Sequence, residues 1–517
     1  MYISPNTTVK LLKDVPLDAS EDHTIWFDTV ADQTAWFSAF VKSGMTFDRQ
    51  YYQRHSKNEI KLEVLADNVY DCNYMMFQNT SYGAKWFYAY ITNVEYVNNN
   101  VTIIQYQIDD LQTWHFDFTL GQCFVEREHQ DTDVAGDNLV PENLETGEYV
   151  KEMIKNAEDL ESLSIVLFAT VASDYSDFYG TMREGVFSGL CPIVFPLTDA
   201  GAQQAVSWIQ NLPITKRDAV QMAWIMPTYF ADVNIVAGGE EITKNHILYR
   251  DNQGTVQVKN NKLLTYPYNY LYVSNNQGKS AVFPYEYFSS PKCMFDIFGD
   301  FTPNPTVLMY PLNFKGSTQN YDEALSISGF PQIAYNLDSF KAWVAQAASS
   351  LGLTAIGAMA TEMSLPMAGM ATTFSGLQEV AGLGTLASSG SMVKLAVEGV
   401  IHSAMPPQAR GSQASAVKIP AGLMNFTFYN VHLRPEFAAI LDDYFTMFGY
   451  ACHRVKVPNR HVRLKFTYTK TVNCVLNKSE MPADAARHIC DIFNRGITYW
   501  DKTATVGDYT QTNTPIQ

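Results

Sequence analysis

Hydrophobic and polar positions alternate with period two through much of the first 130 residues. In "NEIKLEV", Ile60, Leu62 and Val64 alternate with Lys61 and Glu63, which predicts a half-buried strand. "WFYAYITNVEYVNNNVTIIQYQI" predicts a hairpin. Trp86, Tyr88 and Tyr90 share one face, Ile104, Tyr106 and Ile108 share a face of the return strand, and Asn98, Asn99 and Asn100 supply the turn. "DDLQTWHFDFTL" reads as a continuation of the same sheet.

The pattern changes near Pro141. "SIVLFATVAS", "CPIVFP" and "AVQMAWIMP" are short continuous apolar runs, which suit strands covered on both faces. Between the second and third, "TDAGAQQAVSWIQNLP" predicts a helix capped by Thr198 or Asp199 and stopped before Pro213. Short strands and Asn, Gly and Pro turns return after residue 236. Near the C-terminus "NFTFYNVHL" reads as a strand. "RPEFAAILDDYFTMFGY" reads as a helix with Pro435 in the first turn, Phe437, Leu441, Tyr444 and Phe448 on one face, and Gly449 at C′. Asp442 and Asp443 fall on its wet face. In "HVRLKFTYTKT", Val462, Leu464, Phe466 and Tyr468 alternate with Arg463, Lys465 and Thr467. "MPADAARHICDIFNRG" predicts a last helix with Ile489, Ile492 and Phe493 inward and Gly496 closing it.

One stretch fits neither period. From Ala342 the chain runs through three uncharged windows, Ala342–Thr361, Met363–Gln378 and Val380–Val393, separated by Glu362 and Glu379. The first window approaches the length of a bilayer-spanning helix, about 20 residues. Gln346, Ser349, Ser350, Gly352 and Gly357 dilute it, and Pro366 breaks any long helix. A buried core segment would hold more large aliphatics, and a flexible loop would be more polar. The composition fits best a conditional segment that packs among copies of itself in solution and enters a membrane when exposed. Its apolar positions are Leu351, Leu353, Ile356, Met359, Met363, Leu365, Met367, Met370, Phe374, Leu377, Leu383 and Leu386. Glu362 and Glu379 act as a charge brake on insertion.

Composition narrows the class. The 517 residues are too many for one small core, and 46% hydrophobic content with 30 Tyr and 30 Phe marks an ordered, β-rich chain. The net charge of −17 argues against an adhesive nucleic-acid binder, though an acidic wall allows DNA to pass without holding it. Seven scattered cysteines without C-x-x-C spacing read as free, buried thiols made in a reducing cytosol. The N-terminus carries no apolar secretory stretch.

Candidate chemistry is sparse. "SNNQGKS" lacks the leading glycine of a phosphate loop, Val273 standing in its place, and reads as a surface turn. Cys452 and His453 are adjacent, and His488 and Cys490 fall on different helix faces, so no metal set is expected and no cofactor is implied. No G-x-S-x-G or nucleophile–base pattern occurs, so no enzyme is expected. The most basic stretch holds Arg454, Lys456, Arg460, Arg463 and Lys465. It reads either as DNA-backbone contact or, as the acidity of the chain favours, as a solvated strand face or salt bridges to an acidic neighbouring subunit.

Several strings carry a family resemblance: "MFQNTSYGAKWFYA" at Met76–Ala89, "IDDLQTW" at Ile108–Trp114, "FVEREH" at Phe124–His129 with the following "TDVAGDNLVPENLETGEY", "IFNRGITYWD" at Ile492–Asp501 and "GDY" at Gly507–Tyr509. The chain resembles the tail-knob (distal tail-tube) proteins of small short-tailed phages of Gram-positive bacteria, the Picovirinae type. The resemblance implies a mainly β fold with an α+β insertion and a β-barrel or sandwich tube module built from the N- and C-terminal parts. It further implies a hexameric ring or tube through which phage double-stranded DNA passes non-specifically, and a long hydrophobic loop, here about 347–404, that plugs the lumen and is released to penetrate the host cytoplasmic membrane. The implied partners are further copies of the chain and other tail proteins on the collar/connector side and at the tail tip. The place of action is the virion tail at the host envelope after assembly in the host cytoplasm. The expected segments are 1–150 (tube module, N-terminal part), 151–235 (inserted α/β domain), 236–341 (β-rich outer domain), 342–410 (membrane-active loop) and 411–517 (tube module, C-terminal part). A receptor-binding tail protein without membrane insertion is the alternative.

Overall fold

The computed structural model describes residues 6–334 and 424–516, except 51–57, 81, 82, 84, 158, 159, 161, 171–180, 184, 185, 189, 214–219, 232–237, 244–248, 252, 253, 257, 300–304, 331, 479, 480 and 502–505. The chain divides into two compact units. The first joins Met1–Glu148, Leu248–Tyr268 and Leu433–Gln517, and the second joins Tyr149–Ile247 and Asn269–His432.

In the first unit, strands β1 (Thr7–Lys13), β3 (Val41–Gln50), β4 (Glu59–Leu62), β5 (Cys72–Asn79), β6 (Trp86–Asn98) and β7 (Val101–Ile108) form an antiparallel sheet in the order β3-β1-β5-β6-β7-β4. The period-two pattern sorts side chains to opposite faces of it. Val9, Leu11, Ile60, Leu62, Met75, Phe77, Ala89 and Ile104 pack on one side. Leu12, Tyr74, Met76, Tyr88 and Tyr90 pack on the other against Phe27 and Phe37. The β6–β7 turn falls where the asparagines predict it: Asn98 pairs with Val101, and Asn98 Oδ1 accepts the Asn100 N–H. Helix α1 (Val30–Ser38), capped by Thr29 Oγ1 on the Asp32 N–H at 3.1 Å, carries Phe37 into this core. Burial of a side chain of that size contributes roughly 2–3 kcal/mol.

A second sheet in the same unit is built from both chain ends. Its order is β2 (His23–Ile25), Ile497–Trp500, Phe466–Val472, β9 (Cys123–Glu128), Tyr450–Lys456. The helix Ala483–Arg495 seats Ile489, Ile492 and Phe493 with Ile497 and Tyr499, as the sequence predicts.

Three expectations change. "DDLQTW" is not strand: a one-turn helix α2 (Asp110–Thr113) interrupts the path, because the Asp109 carboxylate caps it through the Gln112 N–H. Strand β8 (Phe118–Leu120) follows and pairs with Leu476–Lys478. The strand in "HVRLKFTYTK" begins only at Phe466 and buries Phe466 to Thr469 without alternation; before it Leu464 is exposed and Arg463 is buried. In the helix Pro435–Phe448 the buried face is Ala438, Leu441, Asp442, Phe445 and Thr446, so Asp442 lies inside rather than on the wet face. The helix ends at Gly449, whose φ of +63 and close approach to Glu128, where an added Cβ would sit 2.2 Å from its carbonyl oxygen, leave room only for glycine.

In the second unit the three apolar runs are the strands Leu163–Thr170, Leu190–Pro196 and Val220–Pro227, joined antiparallel with Gln332–Ala334. Ile165 and Leu167 face helix α3 (Asp199–Asn211), while Val166 and Trp224 belong to the core on the opposite side. Coverage of both faces accounts for the unbroken hydrophobicity. Helix α3 is capped by Thr198, whose Oγ1 accepts the Gly201 N–H at 3.1 Å. "SNNQGKS" is the turn between Asn269–Ser274 and Ser280–Phe283. The chain is therefore mainly β.

Candidate functional site

The family-bearing strings of the first unit meet at buried polar clusters. Asp109, which follows β7 and caps α2, is 1% exposed. Its carboxylate accepts the Gln112 N–H at 2.9 Å and the hydroxyl of Tyr74 from β5 at 2.9 Å. Burial nevertheless pushes this carboxyl up to about 6. Gln112 of α2 donates to Thr24 Oγ1 (2.7 Å) and the Ile25 carbonyl (2.8 Å) of β2, and its own side-chain oxygen accepts from Gln33 of α1 at 2.9 Å. One glutamine thus ties α1, α2 and β2 together.

His488, on the C-terminal helix, places Nδ1 2.7 Å from Asp110 and Nε2 2.9 Å from Glu21. Both ring nitrogens face carboxylates, so the imidazolium is favoured, and these hydrogen bonds, that to Asp110 first, raise it to about 10.

The "FVEREH" string supplies a third cluster. Glu128 is fully buried and accepts from the Lys456 ammonium and from the Asn459 N–H at 2.9 Å. His129 Nδ1 accepts the Tyr468 N–H at 2.7 Å, which leaves Nε2 as the donor to the Thr446 carbonyl at 3.0 Å. The ring is thereby held neutral, and burial lowers it to about 3. Glu142 binds Arg127 and Lys262 and accepts the Ala451 N–H at 2.9 Å. Asp442 accepts the backbone N–H groups of Lys259 (2.8 Å) and Asn260 (3.0 Å). The spacing gave no signal for it, because Asp443 follows Ala439 by four residues just as Asp442 follows Ala438. Glu142, in a segment without regular structure, left no periodic signal.

Four of the five basic side chains of the stretch have partners within the first unit. Arg454 reaches Gln130, Lys456 pairs with Glu128, and Arg460 lies over the rings of Trp26 and Phe118. Arg463 donates to the carbonyls of Gln130 and Asn513, and Lys465 donates its backbone N–H to Asn513. Six described cysteines are free: Cys72, Cys123, Cys293 and Cys452 are buried, whereas Cys474 and Cys490 are only half-buried. The positions Leu351 to Leu386 expected to be membrane-active, and Glu362 and Glu379 expected to act as a brake, lie outside the described residues. Among the described residues no helix is long and apolar enough to cross a membrane. None of these clusters aligns a nucleophile with a base; they tie strands and helices of the first unit to one another.

The His129 arrangement has a pH signature. The folded ring stays neutral down to about 3, while an unfolded histidine protonates near 6.5. Its contribution is therefore complete above about pH 6.5 and is lost as pH falls from there towards 3, at about 1.4 kcal/mol per pH unit. Urea unfolding between pH 7 and 4 should show a His129→Gln variant with a shallower acid-side loss, by one proton, than the parent. Equal slopes would refute the assignment.

Comparison with known proteins agrees with this architecture. The family described as "Bacillus phage phi29, Tail knob protein gp9, C-terminal domain" matches residues 240–514, more than half of the chain. The chain belongs to the phage tail knob family. A second family, "Caudoviral major tail protein N-terminus", matches residues 5–119 of this tail knob chain. Tail knob protein gp9 of Bacillus phage phi29 is 25% identical over 98% of both chains, and that of Bacillus phage B103 is 22% identical over the same share. The bacteriophage C1 tail knob protein gp12 superimposes with a TM-score of 0.63 at 12% identity, covering 99% of this chain and 100% of that one, so the tail knob fold is shared. The protein is a structural component of a phage tail, and the family is structural rather than enzymatic.

Proposed function

We propose that copies of this tail knob subunit close, as hexamers, into a conduit for DNA ejection, shut by the segment 342–410 and opened when that segment enters the host cytoplasmic membrane. The composition of that segment carries the reading. In a chain with 53 acidic residues, Ala342–Val393 carries two, Glu362 and Glu379, and is otherwise small or weakly apolar. Such a segment is soluble while its copies cover one another and membrane-seeking once they part, since each buried methylene contributes roughly 0.8 kcal/mol. The tube wall is assigned to the sequence-distant strands that form the first unit. Their closure into a ring leaves no open sheet edge. The engagement of Lys456, Arg463 and their neighbours with their own unit supports a wall that repels DNA and lets it slide, as the net charge of −17 favours.

The test is dye release from liposomes of host-like lipid. The full-length protein should release dye after a trigger such as mild acid, and removal of residues 347–404 should abolish release while rings still form by electron microscopy. Undiminished leakage by the deletion would sink the reading.

A further inference from the structure

We propose that Cys474 and Cys490 form an oxidative cross-linking site, a disulfide that staples the segment after the strand Phe466–Val472 to the C-terminal helix when a small-molecule disulfide is encountered. The two thiols are close enough for each to shift the ionisation of the other. Their approach is fixed by a second set of contacts. Asn494 lies four residues beyond Cys490 and so on the same helix face. Its Oδ1 accepts both the Cys474 N–H and the Thr471 hydroxyl at 3.0 Å. The backbone of Thr471–Cys474 is thus held against the face that carries Cys490. Among the six described cysteines these two are the half-buried ones, the four others being buried.

The order of attack follows from the pair. Burial raises both thiols. The interaction between the two thiols pulls Cys490 back down and pushes Cys474 further up. Cys490 therefore ionises first. Its thiolate attacks one sulfur of the oxidant, forms a mixed disulfide and releases one thiol. Cys474 then attacks the Cys490 sulfur and releases the second thiol. Two protein thiols are oxidised, one external disulfide is reduced to two thiols, and the two thiol protons end on the leaving groups. The inference is independent of the membrane reading, and it gives a chain made in a reducing cytosol a bond that closes outside it.

The full-length protein, purified reduced, should be incubated with oxidised glutathione, alkylated, and digested with trypsin without reduction. The expected product joins the peptides Thr471–Lys478 and His488–Arg495 and disappears on reduction, with the other cysteines alkylated. Cys474→Ser should trap glutathione on Cys490, and Cys490→Ser should leave Cys474 without the adduct. Recovery of both peptides alkylated and unlinked, or of Cys490 joined to Cys123 or to a second copy, would overturn the proposal. Mapping the unaltered protein requires no variant to fold.

Discussion

Replacement of Glu142 by alanine should cost the first unit about 3–5 kcal/mol. The side chain is fully buried, its partner Lys262 is 3% exposed and Arg127 12%. Glu142 binds both and also satisfies the Ala451 N–H. Alanine leaves an ammonium and a guanidinium in a low-dielectric interior without their counter-charge. Burial already depresses the Lys262 ammonium, with Glu142 acting in the opposite direction. Loss of the carboxylate removes that support and drives the lysine towards its neutral form. Glu142→Gln should fall between, since it restores an acceptor but no charge. The exposed pair Lys259–Asp443, with side chains 55% and 67% accessible, is the control. Asp443→Ala should change stability by less than about 1 kcal/mol. Urea unfolding of the three variants checks this; a midpoint for Glu142→Ala within error of that for Asp443→Ala would show that the buried trio does not hold the unit together.

Neutralising the brake should act in the opposite direction, on membrane activity rather than stability. An ionised carboxylate near the bilayer centre costs roughly 2.5–3.5 kcal/mol on insertion scales, and Glu362 and Glu379 interrupt the three uncharged windows. Glu362→Gln with Glu379→Gln should therefore lower the protein concentration that gives half-maximal liposome leakage by about tenfold or more, since tenfold corresponds to about 1.4 kcal/mol. The gain should shrink below pH 5, where the parent carboxylates also become neutral. Ring assembly should be unchanged. If the double variant leaks no better than the parent at pH 7, the glutamates do not oppose insertion.

The parts of the chain that could be read in one dimension were those whose partners are close or whose environment is uniform. The β6–β7 hairpin needs only alternation and an asparagine turn. The C-terminal helix needs only its apolar stripe and Gly496. The apolar run Leu163–Thr170 declares burial on both faces without saying what covers it. Asp442 was misread because its neighbour Asp443 is exposed and both carry the same charge; only packing on Lys259–Asn260 separates them. Asp109 looked like strand until its carboxylate was seen closing the first turn of α2.

Hydrophobic periodicity and the composition of residues 342–393 were set by local order alone, because burial of a stripe or dilution by glycine is a property of neighbouring residues. The joining of β9 to strands more than 300 residues later, the clamping of His488 by Asp110 and Glu21, and the anchoring of Cys474 to the helix that carries Cys490 were settled by the folded chain. Charge, hydrogen-bond geometry and thiol contact depend on distance through space, which a chain's order does not contain.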